Sequence, residues 1–303
     1  MNIVDLHCDT LLKLKNKDYS ISENNGHITD KRLKSGGYLA QCFAVYTSPK
    51  ICGEDAYQHF KNQCTIFEQT VNNSEILEKA IDAKAVIENS NKGKVSAILT
   101  VENAELLNGK LDRINELKNN GISILGLIHN GENCIGFPHN EPNSPLKEFG
   151  KEVVDTLNST NIKIDVSHLN FSGFCDVKTL SKNPIIATHS GCRELCEHTR
   201  NLYDSQIKDI ANSGGIVGVP FYSLFLNGTD NTEISDIITH LEHLIKIGGE
   251  DVAAIGTDFD GMDCNLFLKD SSEMPILLDA LTEKFGTNLT EKICYKNALR
   301  VLG

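Results

Sequence analysis

Two side chains that bind metals stand two residues apart in "DLHCDT", residues 5–10. In an extended strand residues i and i+2 share a face, so His7 and Asp9 converge while Cys8 faces away. The same kinds of side chain recur along the chain: Glu102, His129, His168, His189 and Asp258 each close an apolar run. Imidazole nitrogen and carboxylate oxygen are common zinc ligands. Three histidines and two carboxylates are already too many for one tetrahedral site that keeps an open position. Two ions would use them all. A carboxylate such as Glu102 can bridge a pair of ions, and ions about 3.5–4 Å apart can share a hydroxide that serves as nucleophile. The chemistry indicated is metal-dependent hydrolysis.

Other nucleophilic arrangements are missing. "THSGC" has Thr188 where a G-x-S-x-G elbow requires its first glycine. H-E-x-x-H, P-loop and G-x-G-x-x-G patterns are absent too. Cys192 and Cys196 are spaced like two thiols one helical turn apart, with no ligand role assigned. His240 and His243 in "THLEHL" share a helical face and are expected as a solvated pair outside the core. His27, His59, His139 and His198 have no comparable placement at the end of an apolar run.

Eight β-rich runs would position the polar groups: Ile3–Asp9, Tyr38–Tyr46, Val95–Glu102, Ile122–His129, Ile162–His168, Ile185–His189, Gly215–Phe221 and Ala253–Asp258. Several, such as "VSAILTV" and "GIVGVPF", are almost continuously apolar, the pattern of parallel strands covered on both faces. Helical patterning lies between them: from Glu54 to Asn91, over "SEMPILLDALTEKFG" closing on Gly286, and over "TEKICYKNALRVLG" with Thr290 as N-cap. Strands alternating with helices predict an α/β fold, a single-domain (β/α)8 TIM-like barrel over residues 1–303, with an open doubly wound sheet as the alternative. Catalytic groups of such barrels gather at the C-terminal ends of the strands, where these residues fall. The Gly-, Pro- and Asn-rich stretch Asn130–Pro145 follows the fourth run and is expected to lie over that rim.

The formal net charge of -12 disfavours partners recognised through phosphate or an anionic membrane surface, because both need clustered Lys and Arg. No apolar run reaches transmembrane length. The opening residues Met1–Asp5 show no secretory pattern, so the ten cysteines are read as reduced thiols and the location as cytoplasmic.

In order and spacing, "DLHCDT", "IHNGEN", "DVSH", "THS", "RN", "IGTDFDG" and "KNALRVLG" resemble the membrane (renal) dipeptidase family of metallopeptidases, a branch of the amidohydrolase-like barrels. The resemblance covers nearly the whole chain. It implies two zinc ions, one held by His7 and Asp9 and one by His168 and His189, with Glu102 bridging them. His129 would contact the substrate and stabilise the oxyanion. Arg200, followed by Asn201, would hold the substrate's terminal carboxylate, and Asp258 would manage protons. The implied activity is hydrolysis of dipeptides by a metal-bridged hydroxide, and the implied assembly is a homodimer. A binuclear hydrolase of another small amide, lactam or lactone, or a silent metal-binding barrel, are the rival readings. One departure stands out: Asn103 follows Glu102 where the family often has glycines, which puts the local loop geometry in question.

Overall fold

The structure is a computed structural model that describes residues 2–14, 20–22 and 24–303. Its strands are β1 (Ile3–Cys8), β2 (Tyr38–Tyr46), β3 (Leu77–Ala80), β4 (Val95–Glu102), β5 (Ile122–Gly126), β6 (Lys163–Asp165), β7 (Ile185–Ile186), β8 (Val217–Val219) and β9 (Ala253–Ile255). All pairings between them are parallel, in the order β7-β6-β5-β4-β2-β1-β9-β8. A parallel bridge between Ala187 and Val217 joins the two ends, so the eight strands on this path form a ring rather than an open sheet. β1, β2, β4 and β5 are buried along almost their whole length, as their continuous apolar runs require once helices cover the outside.

Val4, Leu6, Ile98, Ile124, Ile186, Ile216 and Ala254, drawn from strands all around the ring, cluster with Ala298, Val301 and Leu302 of the last helix. A much larger apolar cluster joins the strands to the surrounding helices. The ring is therefore a filled core, and truncating one of these buried Leu or Ile side chains to Ala would cost about 2–5 kcal/mol.

Three expectations need correction. The region Glu54–Asn91 is a helix (Gly53–Asn72), then β3, then a second helix (Ala83–Asn91). The polar "LEKA" of β3 did not read as a strand; it lies along the lower half of β4, from Leu77 opposite Val95 to Ala80 opposite Ile98. β5 takes the upper half, from Leu99 to Glu102. Second, Thr290 is no N-cap. The helical path turns earlier, at Gly286 (φ 73°, ψ 163°), and the buried Thr290 hydroxyl donates to the Gly286 carbonyl at 2.9 Å. From there the chain runs through a wide turn, Lys292–Lys296, into Asn297–Leu302. Third, Cys192 and Cys196 are not on a helix but in a turn closed by Cys196 N–H donating to Cys192 O at 3.2 Å.

Five strand ends also stop two or more residues short of the expected runs. β5, β6, β7 and β9 end at residues 126, 165, 186 and 255, each three residues before His129, His168, His189 and Asp258. The chain leaves the ladder and curls inward before it delivers these side chains. β8 likewise ends at Val219, short of Phe221.

Candidate active site

All seven polar residues singled out at the run ends meet at one mouth of the ring. His7 Nε2 lies 3.5 Å from Asp9 Oδ2, 3.9 Å from Glu102 Oε1 and 3.8 Å from Asp258 Oδ1. Glu102 Oε1 lies 3.0 Å from His168 Nε2, 3.5 Å from His189 Nε2 and 4.0 Å from His129 Nε2. The Nε2 atoms of His168 and His189 face each other at 3.0 Å.

This arrangement fits cations. His7 Nε2, Asp9 Oδ1 and Glu102 Oε2 are buried without a hydrogen-bond partner, which is costly for polar atoms unless something else binds them. His168 Nδ1 lies 2.7 Å from Asn130 Oδ1, an acceptor, so Nδ1 carries the proton and Nε2 keeps a lone pair. A lone pair on the facing His189 Nε2 as well would repel it unless a positive charge lay between them. Burial drives Glu102 well above the ordinary carboxylate range, and the Asp9 charge adds to this. At His7 burial works against the charged form, but Glu102, Asp9 and Asp258 overcome it and push the imidazole up to about 10. Left to protons alone, the cluster would have to take them up at neutral pH; divalent ions supply the same charge. The donor sets His7, Asp9, Glu102 and Glu102, His129, His168 each have ligand atoms within 4.8 Å of one another.

The backbone is strained where it presents these groups. His168 and Asp258 have φ of 67° and 62°, unusual for residues with a side chain. Asn103 has φ 85°, which explains the departure from the glycine pattern after Glu102. Asparagine tolerates positive φ when its amide bonds locally. Here Nδ2 donates to Thr47 O at 2.8 Å, and Oδ1 accepts from Glu105 N at 3.2 Å and Asn133 Nδ2 at 2.8 Å. The loops after β2, β4 and β5 are thereby tied together. Gly218 and Gly256 serve a close approach: a Cβ on either would sit within about 2 Å of the Thr188 carbonyl oxygen, which leads directly into His189.

A cavity of about 310 Å³ opens over the cluster, lined among others by Tyr46, His129, Asn130, Tyr222, Phe225 and Asp258. Part of the Asn130–Pro145 stretch is at the rim, as expected, and it is braced on the segment that follows β6: His139 N–H donates to His168 O at 2.8 Å, and Asn170 Nδ2 to Ser144 O at 2.7 Å. Burial and then Arg200 lower the His129 imidazole to about 3, so it is neutral at physiological pH.

Arg200 and Asn201 are placed less directly than the sequence suggested. Neither lines the cavity. Arg200 is buried, donating to Ser190 Oγ at 3.2 Å and His189 O at 2.9 Å, with its Nε unpaired; its guanidinium stands 5.3 Å from the ring centroid of Phe225, which does line the cavity. Asn201 spends its amide on Gly191 N, Cys196 O and Phe225 O, so it braces the loop and has no group left for a substrate. The expected solvated pair is also corrected: His240 is 1% exposed, accepting from Cys192 N at 3.0 Å and bonded to Leu226 O at 2.9 Å, and His243 meets Asp204 at 2.7 Å. Both fasten the outer helix to the β7 and β8 loops.

Sequence reasoning passed over Asn130, Tyr46, Tyr222 and Phe225, which line the cavity, and two buried carboxylates beneath it, Asp5 and Asp165. The signal for the carboxylates was available, since "DLH" and "DVSH" both open with Asp ahead of one of the clustered histidines.

Known proteins resemble the chain along most or all of its length. An uncharacterized protein in the pqqA 5' region of Klebsiella pneumoniae is 32% identical over 253 residues, covering 79% of this chain and 93% of its own length. The crystal structure of dipeptidase AC, a metallo peptidase of family M19, superposes with a TM-score of 0.93 at 29% identity over 100% of this chain and 98% of the other. A Rhodobacter sphaeroides metallo peptidase, liganded with a phosphinate mimic of the dipeptide L-Ala-D-Ala, gives 0.94 at 28% identity over the same shares. The profile of the membrane dipeptidase family, peptidase family M19, matches residues 1–303, and the chain belongs to that family.

Proposed function

We propose that the protein is a dipeptidase working with two zinc ions, one between His7, Asp9 and Glu102 and the other between Glu102, His168 and His189. The observation that carries this is the convergence of four proposed ligand side chains, His7, Asp9, His168 and His189, around Glu102, with buried, unpartnered His7 Nε2, Asp9 Oδ1 and Glu102 Oε2. When bound, the cations would lower the pKa of a water toward about 7 and polarise the scissile carbonyl.

The chain's own groups do the rest. His129, neutral and with a free buried Nδ1, turns a ring nitrogen toward the site and can donate to the oxygen that gains charge. Burial raises Asp258 to about 7, against the pull of His7, so near neutrality it can both take a proton from water and return it to the leaving amine. Arg200 has a fixed planar group and an unpaired Nε suited to a carboxylate, reached past the ring of Phe225. A cavity of about 310 Å³ suits a substrate of dipeptide size, with its free C-terminus close to the scissile bond. No helix among the described residues is long and apolar enough to cross a membrane.

The test is metal analysis combined with a panel of dipeptides, lactams and esters assayed with added zinc. Release of amino acids from dipeptides, with about two zinc ions per chain, is the expected result. Turnover of lactams or esters alone would favour the rival hydrolase, and bound zinc without any turnover would favour a silent barrel.

A further inference from the structure

Behind His189 a buried carboxylate, a hydroxyl and the imidazole stand in line. Thr188 Oγ1 lies 2.6 Å from Asp165 Oδ2 and 2.8 Å from His189 Nδ1, and all three residues are at most 4% exposed. Asp165 Oδ1 accepts from Ser167 N at 2.8 Å and Thr188 N at 3.0 Å. Only donors converge on this carboxylate, so the single hydroxyl proton of Thr188 is committed to Oδ2. Thr188 Oγ1 can then meet His189 Nδ1 only as an acceptor. The proton must sit on Nδ1, which leaves the lone pair on Nε2, the atom that faces Glu102 and His168.

Resting on the two-cation reading above, we propose that Asp165 is a positioning residue that sets the tautomer of His189 through the Thr188 hydroxyl and so makes Nε2 a cation ligand. Outer hydrogen-bond partners of this kind change metal affinity by about 10–100-fold. The direction of the hydroxyl is what matters, and one substitution reverses it. In Asp165→Asn the two backbone N–H groups hold the amide oxygen at the Oδ1 place, which turns the NH2 toward Thr188 Oγ1. The hydroxyl then turns to Nδ1 at 2.8 Å, its nearest remaining acceptor, Ser167 Oγ lying farther off at 3.4 Å. The imidazole proton moves to Nε2 with no change in net charge, and an Nε2–H cannot ligate.

The fold carries its own control. Asp5 makes the same bracket on the other side of the ring: Oδ1 accepts from Thr257 N at 2.9 Å and His7 N at 3.3 Å, and Oδ2 from Thr257 Oγ1 at 2.7 Å. Among the described residues the Thr257 hydroxyl donates to this carboxylate and reaches no imidazole nitrogen. Asp5→Asn therefore disturbs an equivalent buried bracket without a tautomer to invert.

Zinc affinity by chelator competition on the purified full chain, and nitrogen-15 NMR of the His189 ring in the metal-free protein, test the proposal. In the wild type Nδ1 should be protonated; in Asp165→Asn it should lose that proton, and affinity for one of the two ions should fall by about 10–100-fold. Thr188→Ser should keep wild-type affinity, Thr188→Val should lose part of it, and Asp5→Asn should retain it. An unprotonated Nδ1 in the wild type would overturn the assignment. So would unchanged affinity in Asp165→Asn, or an equal loss in Asp5→Asn. A wild type that binds no zinc would count against the dipeptidase reading instead, and the NMR of the metal-free ring would still decide the tautomer even if a variant failed to fold.

Discussion

Asn103 offers a sharp test of how the strained rim is held. Its amide makes three hydrogen bonds, to Thr47 O, Glu105 N and Asn133 Nδ2, while its backbone sits at φ 85°, ψ 103°. Asn103→Ala removes all three bonds, each worth about 0.5–1.5 kcal/mol net, and a loss of about 3 kcal/mol is expected. Alanine also keeps a Cβ at positive φ without the local bonds that made it tolerable. Asn103→Gly loses the same bonds but escapes a steric cost of about 1–2 kcal/mol. Against this, glycine adds about 0.5–1 kcal/mol of unfolded-state entropy. The glycine variant should therefore be the milder, by about 1 kcal/mol. Urea denaturation followed by circular dichroism, at fixed zinc, reads the difference directly. Because residue 103 follows Glu102, activity should rank in the same order, wild type above glycine above alanine. A glycine variant as unstable as the alanine one, or more so, would refute the argument from backbone geometry.

Other outcomes follow from the site. Asp258→Asn should lower kcat by about 10²–10⁴-fold while zinc content stays at the wild-type level; unchanged turnover would remove Asp258 from the proton role. Arg200→Lys should raise KM for dipeptides, because an ammonium cannot copy the planar fork, and steady-state kinetics would show it. Dialysis against a chelator should abolish hydrolysis, and added zinc should restore it. At Asp260 burial favours the neutral acid, but bonds from the His27 side chain, His27 N–H and the Thr10 hydroxyl outweigh it and hold the carboxyl below its ordinary 3.8. A depressed folded-state pKa means stabilisation that is complete above about pH 4 and is lost as pH falls below it. Wild type and Asp260→Asn should accordingly differ in denaturation midpoint at pH 6, and the difference should shrink as pH falls below 3.8.

The barrel was legible because parallel strands buried on both faces leave near-continuous apolar runs, as in β2 and β4, whose bounds were read correctly. The clustered histidines and carboxylates were legible because imidazole and carboxylate rarely end such runs without a purpose. What escaped depended on contacts between segments far apart in the chain. β3 is polar and is a strand only because β4 offers it an edge. His240 and His243 share a helical face as expected, but nothing local reveals that the β7 and β8 loops would reach across to cover that face. Asn201 follows Arg200 in sequence, yet its role is settled by Gly191 and Phe225, 10 and 24 residues away. Asp5 and Asp165 look like ordinary strand polar residues until Thr257 and Thr188 are brought beside them.

The ring is joined by the least material where two-residue β7 meets β8, through the Ala187–Val217 bridge and the bonds Ala187 N to Ile216 O, Gly218 N to Ala187 O and Ser190 N to Gly218 O. Such a seam is where transient opening would start. His189 stands on it, so each breath of the seam would pull one member of the clustered side chains away from the others. On the two-ion reading proposed above, the residence time of a cation would be timed by the zipper of a few amides.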